Sequence, residues 1–311
     1  MPKIIVLDDL SAEGLNLLKS APGVEVVIQT GLKGDGLHNA LLEADGAICR
    51  SGVKITADVL KGNARLKAIA RAGVGVDNID VKTAKEMGIA VMNTPGGNTV
   101  STAELTIALL LALSRNIAAA YQSLCEGRWD RKKFMGTQVS GKTLGIVGLG
   151  RVGLAVATRA KGLEMKILGF DPFVPAEKVR ELGIQPCASV HEMLPMADYL
   201  TVHTTLTEET KNLIGAKEVQ MLKKGVRLIN CARGGIYNEA ALAEGLKSGQ
   251  IAGVAIDVYS EEPCTNSPLF GLPGVICTPH LGASTHEAQD NVAVEAADLL
   301  IKFFAKGKCG C

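Results

Sequence analysis

Short runs rich in isoleucine and valine alternate with helical patterns along almost the whole of this 311-residue chain. No other feature restricts the fold so strongly, because such alternation favours parallel sheets with helices on both faces. The first series of strand-like runs is KIIVLD from Lys3, VEVVIQ from Val24, GAICRS from Gly46, LKAIARAG from Leu66 and IAVMNTP from Ile89, closed by the Pro95-Gly96-Gly97 break. A second series follows: TLGIVG from Thr143, KILGFD from Lys166, YLTVHT from Tyr199, VRLINCA from Val226, AGVAIDV from Ala252 and GVICTPH from Gly274. Those six strands suffice for one doubly wound sheet. The expected fold class is α/β, with two Rossmann-like doubly wound parallel-sheet domains and a cleft between them.

Two helical stretches set the domain boundaries. STAELTIALLLALSRNIAAAYQSLCEGRW carries Ser101 and Glu104 at capping-box spacing and shows little polar surface over 105–113, as suits a buried helix at a junction. STHEAQDNVAVEAADLLIKFFAKGK repeats the Ser-x-x-Glu spacing at Ser284 and Glu287 and stops at Gly307, with no strand after it. Such a helix crosses back, so the expected first domain is discontinuous, 1–97 plus 283–311, and a second domain spans 98–282.

Composition narrows the partners. Hydrophobic residues make up 47% of the chain and the formal net charge is +1, so nothing favours nucleic acid or an acidic membrane surface over small soluble ligands. The longest apolar run, 107–113, falls far short of the roughly 20 residues that span a bilayer. No signal peptide is apparent, and eight scattered cysteines without zinc spacing read as reduced thiols, so a cytoplasmic location and no metal are expected. The terminal Cys309-Gly-Cys311 reads as a frayed end in preference to a metal or disulfide tail.

Two glycine clusters compete for the nucleotide. AGVGVDNID, 72–80, has Gly73 and Gly75, whereas GLGRVG supplies Gly148, Gly150 and Gly153 after a strand and before a helix. The three glycines of the second allow a tight turn, close approach to a pyrophosphate, and packing of helix on sheet; the helix N-terminus then faces the phosphates. Asp171 closes the next strand, where a carboxylate accepts from ribose hydroxyls and repels a 2′-phosphate, which favours NAD over NADP.

A proton-handling partner for hydride chemistry is best supplied by histidine, and there are five. His38, His191 and His286 lie in solvated contexts, and His203 ends a strand where it could line the cofactor or serve the structure. His280 closes GVICTPH at the carboxyl edge of the sheet, where ligands bind. Arg233, in INCARGG, and Asp257 close neighbouring strands at that edge, and Glu262 follows in DVYSEEP. Arg233 could clamp a 2-hydroxy or 2-oxo acid bidentately while a carboxylate orients His280; a surface Arg–Glu pair is the bland alternative.

GKTLGIVGLGRVG, INCARGG, AIDVYSEEP, PHLGAST, RAGVGVDNID and NTPGGNTVSTAEL together resemble the D-isomer-specific 2-hydroxyacid dehydrogenases, in one order over nearly the whole chain. PHLGAST and RWDRKKFMG point to the phosphoglycerate branch. The resemblance implies NAD-dependent oxidation of 3-phospho-D-glycerate to 3-phosphooxypyruvate, the first step of phosphorylated L-serine biosynthesis. It makes His280 the acid/base, Glu262 its carboxylate partner and Arg233 the substrate-binding catalytic residue. Implied cofactor contacts are Val74, Gly148, Gly150, Arg151, Val152, Gly153, Asp171, Thr204, Cys231, Ala232, Arg233, Asp257, His280, Gly282 and Ala283. Implied substrate contacts are Arg50, Ser51, Val74, Gly75 and Arg233, with Arg131 or Lys132 reaching a partner subunit's phosphate site in a homodimer formed through the NAD-binding domain, or a tetramer built from it. Alternatives are a glyoxylate or hydroxypyruvate reductase, another D-2-hydroxyacid dehydrogenase, and a dinucleotide-sensing corepressor-like protein. Val74 departs from the commoner threonine, Thr205 from the proline usual after VHT, and the chain stops soon after the crossing helix. It is expected to be a short form or a catalytic fragment, so serine feedback is not implied.

Overall fold

A computed structural model describes residues 1–306; the Cys309-Gly-Cys311 tail lies outside the described residues. The chain divides into two compact units, Met1–Thr99 with Ala283–Cys311, and Val100–Gly282.

The first unit holds five strands: β1 Lys3–Val6, β2 Glu25–Ile28, β3 Gly46–Cys49, β4 Ala68–Arg71 and β5 Ala90–Asn93. They are all parallel in the order β2-β1-β3-β4-β5, a doubly wound arrangement. Burial follows position: β3 is buried throughout, while the edge strand β2 exposes both its ends. One face is covered by Leu37, Leu41, Val59 and Leu60, and the other by Leu18 with Val292, Ala296 and Leu300 of the helix His286–Lys306. That helix sits so close that a Cβ on Gly14 would collide with Ala293. Its cap is Thr285, whose Oγ1 accepts from the Ala288 N–H at 3.1 Å. The expected Ser284 cap is thus displaced by one residue, because His286 is the first helical residue.

The second unit holds seven strands, one more than the sequence suggests: β6 Thr143–Val147, β7 Lys166–Phe170, β8 Gln185–Pro186, β9 Tyr199–Val202, β10 Val226–Asn230, β11 Ile251–Ile256 and β12 Val275–Cys277. Their order is β12-β11-β10-β9-β6-β7-β8, again all parallel. β8 escapes a pattern reading because two residues carry no periodicity and one is proline, tolerated at a sheet edge. The chain reverses direction across the sheet between β6 and β9, and ligands bind beyond the carboxyl ends of strands at such a point.

The helix Thr99–Ser114 is buried along Ala103, Thr106, Leu109, Leu110 and Leu113, and Ser114 Oγ meets the buried Tyr199 hydroxyl at 2.8 Å. The expected Ser101–Glu104 capping box does not form. Ser101 lies inside the helix and is buried, and Glu104 accepts from Arg159 Nη2 at 3.0 Å. Among the described residues no single helix is long and apolar enough to cross a membrane.

Candidate active site

The carboxyl ends of β6, β7 and β9 bring the glycine loop, Asp171 and Thr204 to one edge. Gly148 takes φ +91°, open to glycine at little cost, and a side chain there would strike the His203 carbonyl and Thr204. At Gly153 a Cβ would run into the Gly148 carbonyl, so the helix Arg151–Gly162 starts directly against the turn. Gly150 caps that helix, and a Cβ there would meet nothing, which leaves its outer side open for a close ligand. Arg151 is exposed, whereas Val152 packs on the core. Asp171 Oδ2 accepts from Leu149 N–H at 2.8 Å and Oδ1 from Phe173 N–H at 2.9 Å. These bonds fix the carboxylate and leave lone pairs for a further donor on each oxygen. Thr204 Oγ1 is buried with no hydrogen-bond partner among the described residues, an orphan polar atom at the same edge.

A second group gathers beyond β10, β11 and β12, whose registers set Asn230 beside Ile256 and Ile256 beside Cys277. Arg233, Asp257 and His280 follow these ends by one to three residues. His280 Nδ1 and Glu262 Oε2 lie 2.6 Å apart, and Glu262 Oε1 accepts from the Tyr259 N–H at 3.0 Å. Burial alone would raise the Glu262 carboxyl. The hydrogen bonds from His280 and the Tyr259 amide, with the charges of His280 and Arg233, outweigh it and hold that carboxyl below its ordinary value. With Nδ1 engaged, the other ring nitrogen of the half-exposed His280 is left for exchange with a ligand.

His280 has φ +55°, an uncommon conformation for a side-chain-bearing residue. Asp257 holds it there. Its Oδ1 accepts from Thr278 Oγ1 at 2.6 Å and Leu281 N–H at 2.7 Å, and Oδ2 accepts from Gly282 N–H at 2.8 Å. Burial pushes this carboxyl up, against those three bonds. Asp257, one of the residues expected to contact the cofactor, is buried, and its carboxylate serves as the clasp of the His280 turn. Gly282 is buried too, with its carbonyl accepting from Thr102 Oγ1 at 3.0 Å. Tyr259 is a residue the sequence reading missed: its hydroxyl donates to Thr278 O at 2.9 Å, the carbonyl that also accepts the His280 N–H. Nothing in DVYSEEP marks it, since a tyrosine after a strand reads equally as core.

Arg233 Nη1 donates to Ala232 O at 2.6 Å, and Asn230 Nδ2 ties the Arg233 carbonyl at 2.8 Å. Cys231 is buried, with its thiol pushed up to about 12 by burial, so it lines the segment without reactive character. His203, half-buried, bonds Thr201 Oγ1 at 3.1 Å through Nε2, and burial lowers it to about 4. Its ring is committed to the strand end in the neutral form. His38 and His191 bond Val59 O and Glu218 Oε1 respectively.

Arg50, Ser51, Val74, Gly75 and Ala283 belong to the first unit. The Arg50 N–H donates to Asp8 Oδ2 at 2.6 Å, Asn78 Nδ2 donates to Arg50 O at 2.7 Å, and Asn93 Nδ2 donates to Val74 O at 2.5 Å. Side-chain amides thus shape both loops. Arg131 and Lys132 stand exposed on the 3-10 turn Arg131–Phe134, with no hydrogen bond to the Arg233–Glu262–His280 group among the described residues.

Residues 107–282 match the family model described as "D-isomer specific 2-hydroxyacid dehydrogenase, NAD binding domain". The chain belongs to the D-isomer-specific 2-hydroxyacid dehydrogenases. It is 45% identical over 302 residues to D-3-phosphoglycerate dehydrogenase of Methanocaldococcus jannaschii, covering 97% of this chain and 57% of that one. The chain therefore spans little more than half the length of that relative. A solved Thermus thermophilus protein superposes with TM-score 0.86 at 33% identity, covering 97% of each chain. An NAD-dependent formate dehydrogenase of Staphylococcus aureus, solved with NAD, gives TM-score 0.85 at 30% identity over 98% of this chain and 96% of that one. For a dehydrogenase of this family the glycine loop, Asp171 and the orphan Thr204 hydroxyl suit NAD: a backbone cradle for the pyrophosphate, a fixed carboxylate for ribose hydroxyls, and a buried hydroxyl left for a ligand.

Proposed function

We propose that this chain catalyses the NAD-dependent oxidation of 3-phospho-D-glycerate to 3-phosphooxypyruvate, the entry step of phosphorylated L-serine biosynthesis. The observation that carries the reading is the His280–Glu262 pair, 2.6 Å apart, with Arg233 at the same sheet edge. The likeness to D-3-phosphoglycerate dehydrogenase supports the choice of substrate. The glycine loop, Asp171 and Thr204 would hold NAD, which would supply the hydride acceptor for C2 of the hydroxy acid. Arg233 binds the substrate carboxylate and fixes the acid's orientation. His280 takes the hydroxyl proton, and the Glu262 carboxylate stabilises the imidazolium so formed. Arg50, Ser51, Val74 and Gly75 contribute further substrate contacts. The place of action is the cytoplasm.

The working form is a homodimer through the second unit. Ile117, Tyr121 and Leu124 repeat along one face of the helix Ile117–Cys125 and are 55%, 69% and 57% exposed. Trp129 and Met135 extend the exposed apolar surface, which favours a protein partner. Arg131 and Lys132 lie in the same segment and read the phosphate of the partner's substrate.

Reduced nicotinamide is to be followed with NAD and 3-phospho-D-glycerate, D-glycerate or D-lactate at alkaline pH with product removal. Turnover confined to the phosphorylated acid is expected, and His280→Asn should lower kcat by about 10²–10⁴. Preference for an unphosphorylated acid would move the chain to the reductase branch, and silence on all three would favour a dinucleotide-sensing protein.

A further inference from the structure

The loop that carries Glu262 has an anchor that the proposed chemistry leaves unused. Glu239 is the first residue of the helix Glu239–Lys247, capped by Asn238, whose Oδ1 accepts from the Ala241 N–H at 3.0 Å. Its side chain reaches across to the segment after β11. Oε1 accepts from both the Ser260 N–H and the Ser260 hydroxyl at 3.3 Å, and Oε2 accepts from Ser267 Oγ at 2.5 Å. Ser267 is buried and in turn accepts from the Leu269 N–H at 3.3 Å. One carboxylate therefore grips the Glu262 loop on both sides, two residues before Glu262 and five after it.

The same helix is the continuation of the Arg233 turn. A side chain on Gly234 would overlap the Tyr259 carbonyl and the Ser260 nitrogen, so backbone lies directly on backbone where the two segments meet. Between that contact and the grip on Ser267, the Glu262 loop is held against the turn that bears Arg233. Tyr259, inside the clamped stretch, sends its N–H to Glu262 and its hydroxyl to the carbonyl before His280's own turn. Moving Ser260 moves Tyr259, and with it the carboxylate that faces His280.

We infer that Glu239 is a positioning residue, which sets the placement of Glu262 against His280 and Arg233 without itself touching substrate or cofactor. The inference rests on the proposed dehydrogenase reading for its effect on turnover, but not for its effect on Glu262. A carboxylate matches the three donors it meets because it is an acceptor at both oxygens; a glutamine must turn its amide toward one side and loses an acceptor there.

The test titrates the Glu262 side-chain carboxyl by carbon-detected NMR in the full chain, with Glu262→Gln identifying the resonance. Wild type, Glu239→Ala, Glu239→Gln and Ser267→Ala are compared, alongside kcat, KM and NADH affinity. The groups facing Glu262 are His280 and Arg233, so a carboxyl that withdraws from them titrates at higher pH. In Glu239→Ala the Glu262 midpoint is expected to rise, with kcat lowered about tenfold to a hundredfold and NADH affinity changed less than about twofold. Glu239→Gln and Ser267→Ala, which keep part of the grip, are expected to fall between it and wild type. Added to Glu262→Gln, the Glu239→Ala change should lower kcat little further, since both act on one interaction. An unmoved Glu262 midpoint in Glu239→Ala and Ser267→Ala, or losses that simply multiply in the double variant, would overturn the assignment. A wild type silent on every hydroxy acid would overturn the dehydrogenase reading instead, and the titration would still decide the role of Glu239.

Discussion

His280 and His203 carry the same side chain beyond the carboxyl ends of β12 and β9, two strands of one sheet, and their surroundings make them opposites. His280 keeps half its side chain exposed and faces a carboxylate; His203 bonds a threonine hydroxyl and is lowered by burial to about 4 from its ordinary 6.5. A histidine whose folded value is depressed binds its proton more readily when unfolded. Between pH 6.5 and about 4, the unfolded chain gains a proton that the folded chain refuses, so stability falls as pH is lowered through that window. The loss is about 1–3 kcal/mol, reduced from the full linkage value because the residue keeps some accessible surface. Glu262 acts in a lower window: its carboxyl is held below the ordinary 4.5, and its contribution, present above that value, disappears as pH falls through the folded value. Chemical denaturation at a series of pH values should therefore show a slope above pH 4.5 that His203→Gln flattens and Glu262→Gln does not. An unchanged slope in His203→Gln would mean the ring takes its proton in the folded state. The motif-bearing residues at this scale, GLGRVG, Asp171, Arg233 and His280, are legible in the sequence because their chemistry depends on residue type and local order. Tyr259, Glu239 and the clasp made by Asp257 are not, because each acts through a partner 19 to 28 residues away, fixed only when the strands are side by side.

Helix boundaries show the same division between local and tertiary causes. Periodicity finds both the buried helix Thr99–Ser114 and the crossing helix His286–Lys306, yet both capping boxes read from Ser-x-x-Glu fail. In the first, burial of Ser101 and the pull of Arg159 on Glu104 override the local option. In the second, two adjacent hydroxyls compete, and only Thr285 has its oxygen directed at the Ala288 N–H. Spacing rules cannot choose between neighbours, whereas the backbone can. Thr285→Ala should cost about 1 kcal/mol of stability, and Ser284→Ala, an exposed position, should stay within about 0.5 kcal/mol of wild type. Thermal or urea unfolding of the two variants checks this; equal effects would show that the helix start is set by packing on the first sheet alone. The β8 edge strand marks the other limit of pattern reading, since its two residues join the sheet only because β7 is already in place.

At the scale of the molecule, the exposed stripe of Ile117, Tyr121 and Leu124 and the basic turn at Arg131 and Lys132 are a few residues apart in one segment. If the stripe is the self-association surface, the turn is carried toward the partner by the same contact, and assembly and phosphate reading become linked. Tyr121→Lys with Leu124→Lys introduces like charges into that surface and should shift sedimentation from dimer to monomer. The monomer is expected to keep NADH binding, because the glycine loop, Asp171 and Thr204 are all built within one chain. It should lose efficiency with 3-phospho-D-glycerate about tenfold through KM, the scale of one charge-assisted phosphate contact, while D-glycerate is used as before. Arg131→Ala with Lys132→Ala should reproduce that selective loss in a dimer that remains intact. A wild type that sediments as a monomer would remove the stripe as a self-interface. A dimer in which both variants lose the two acids equally would mean instead that the basic turn supports the fold of the segment and reads no phosphate.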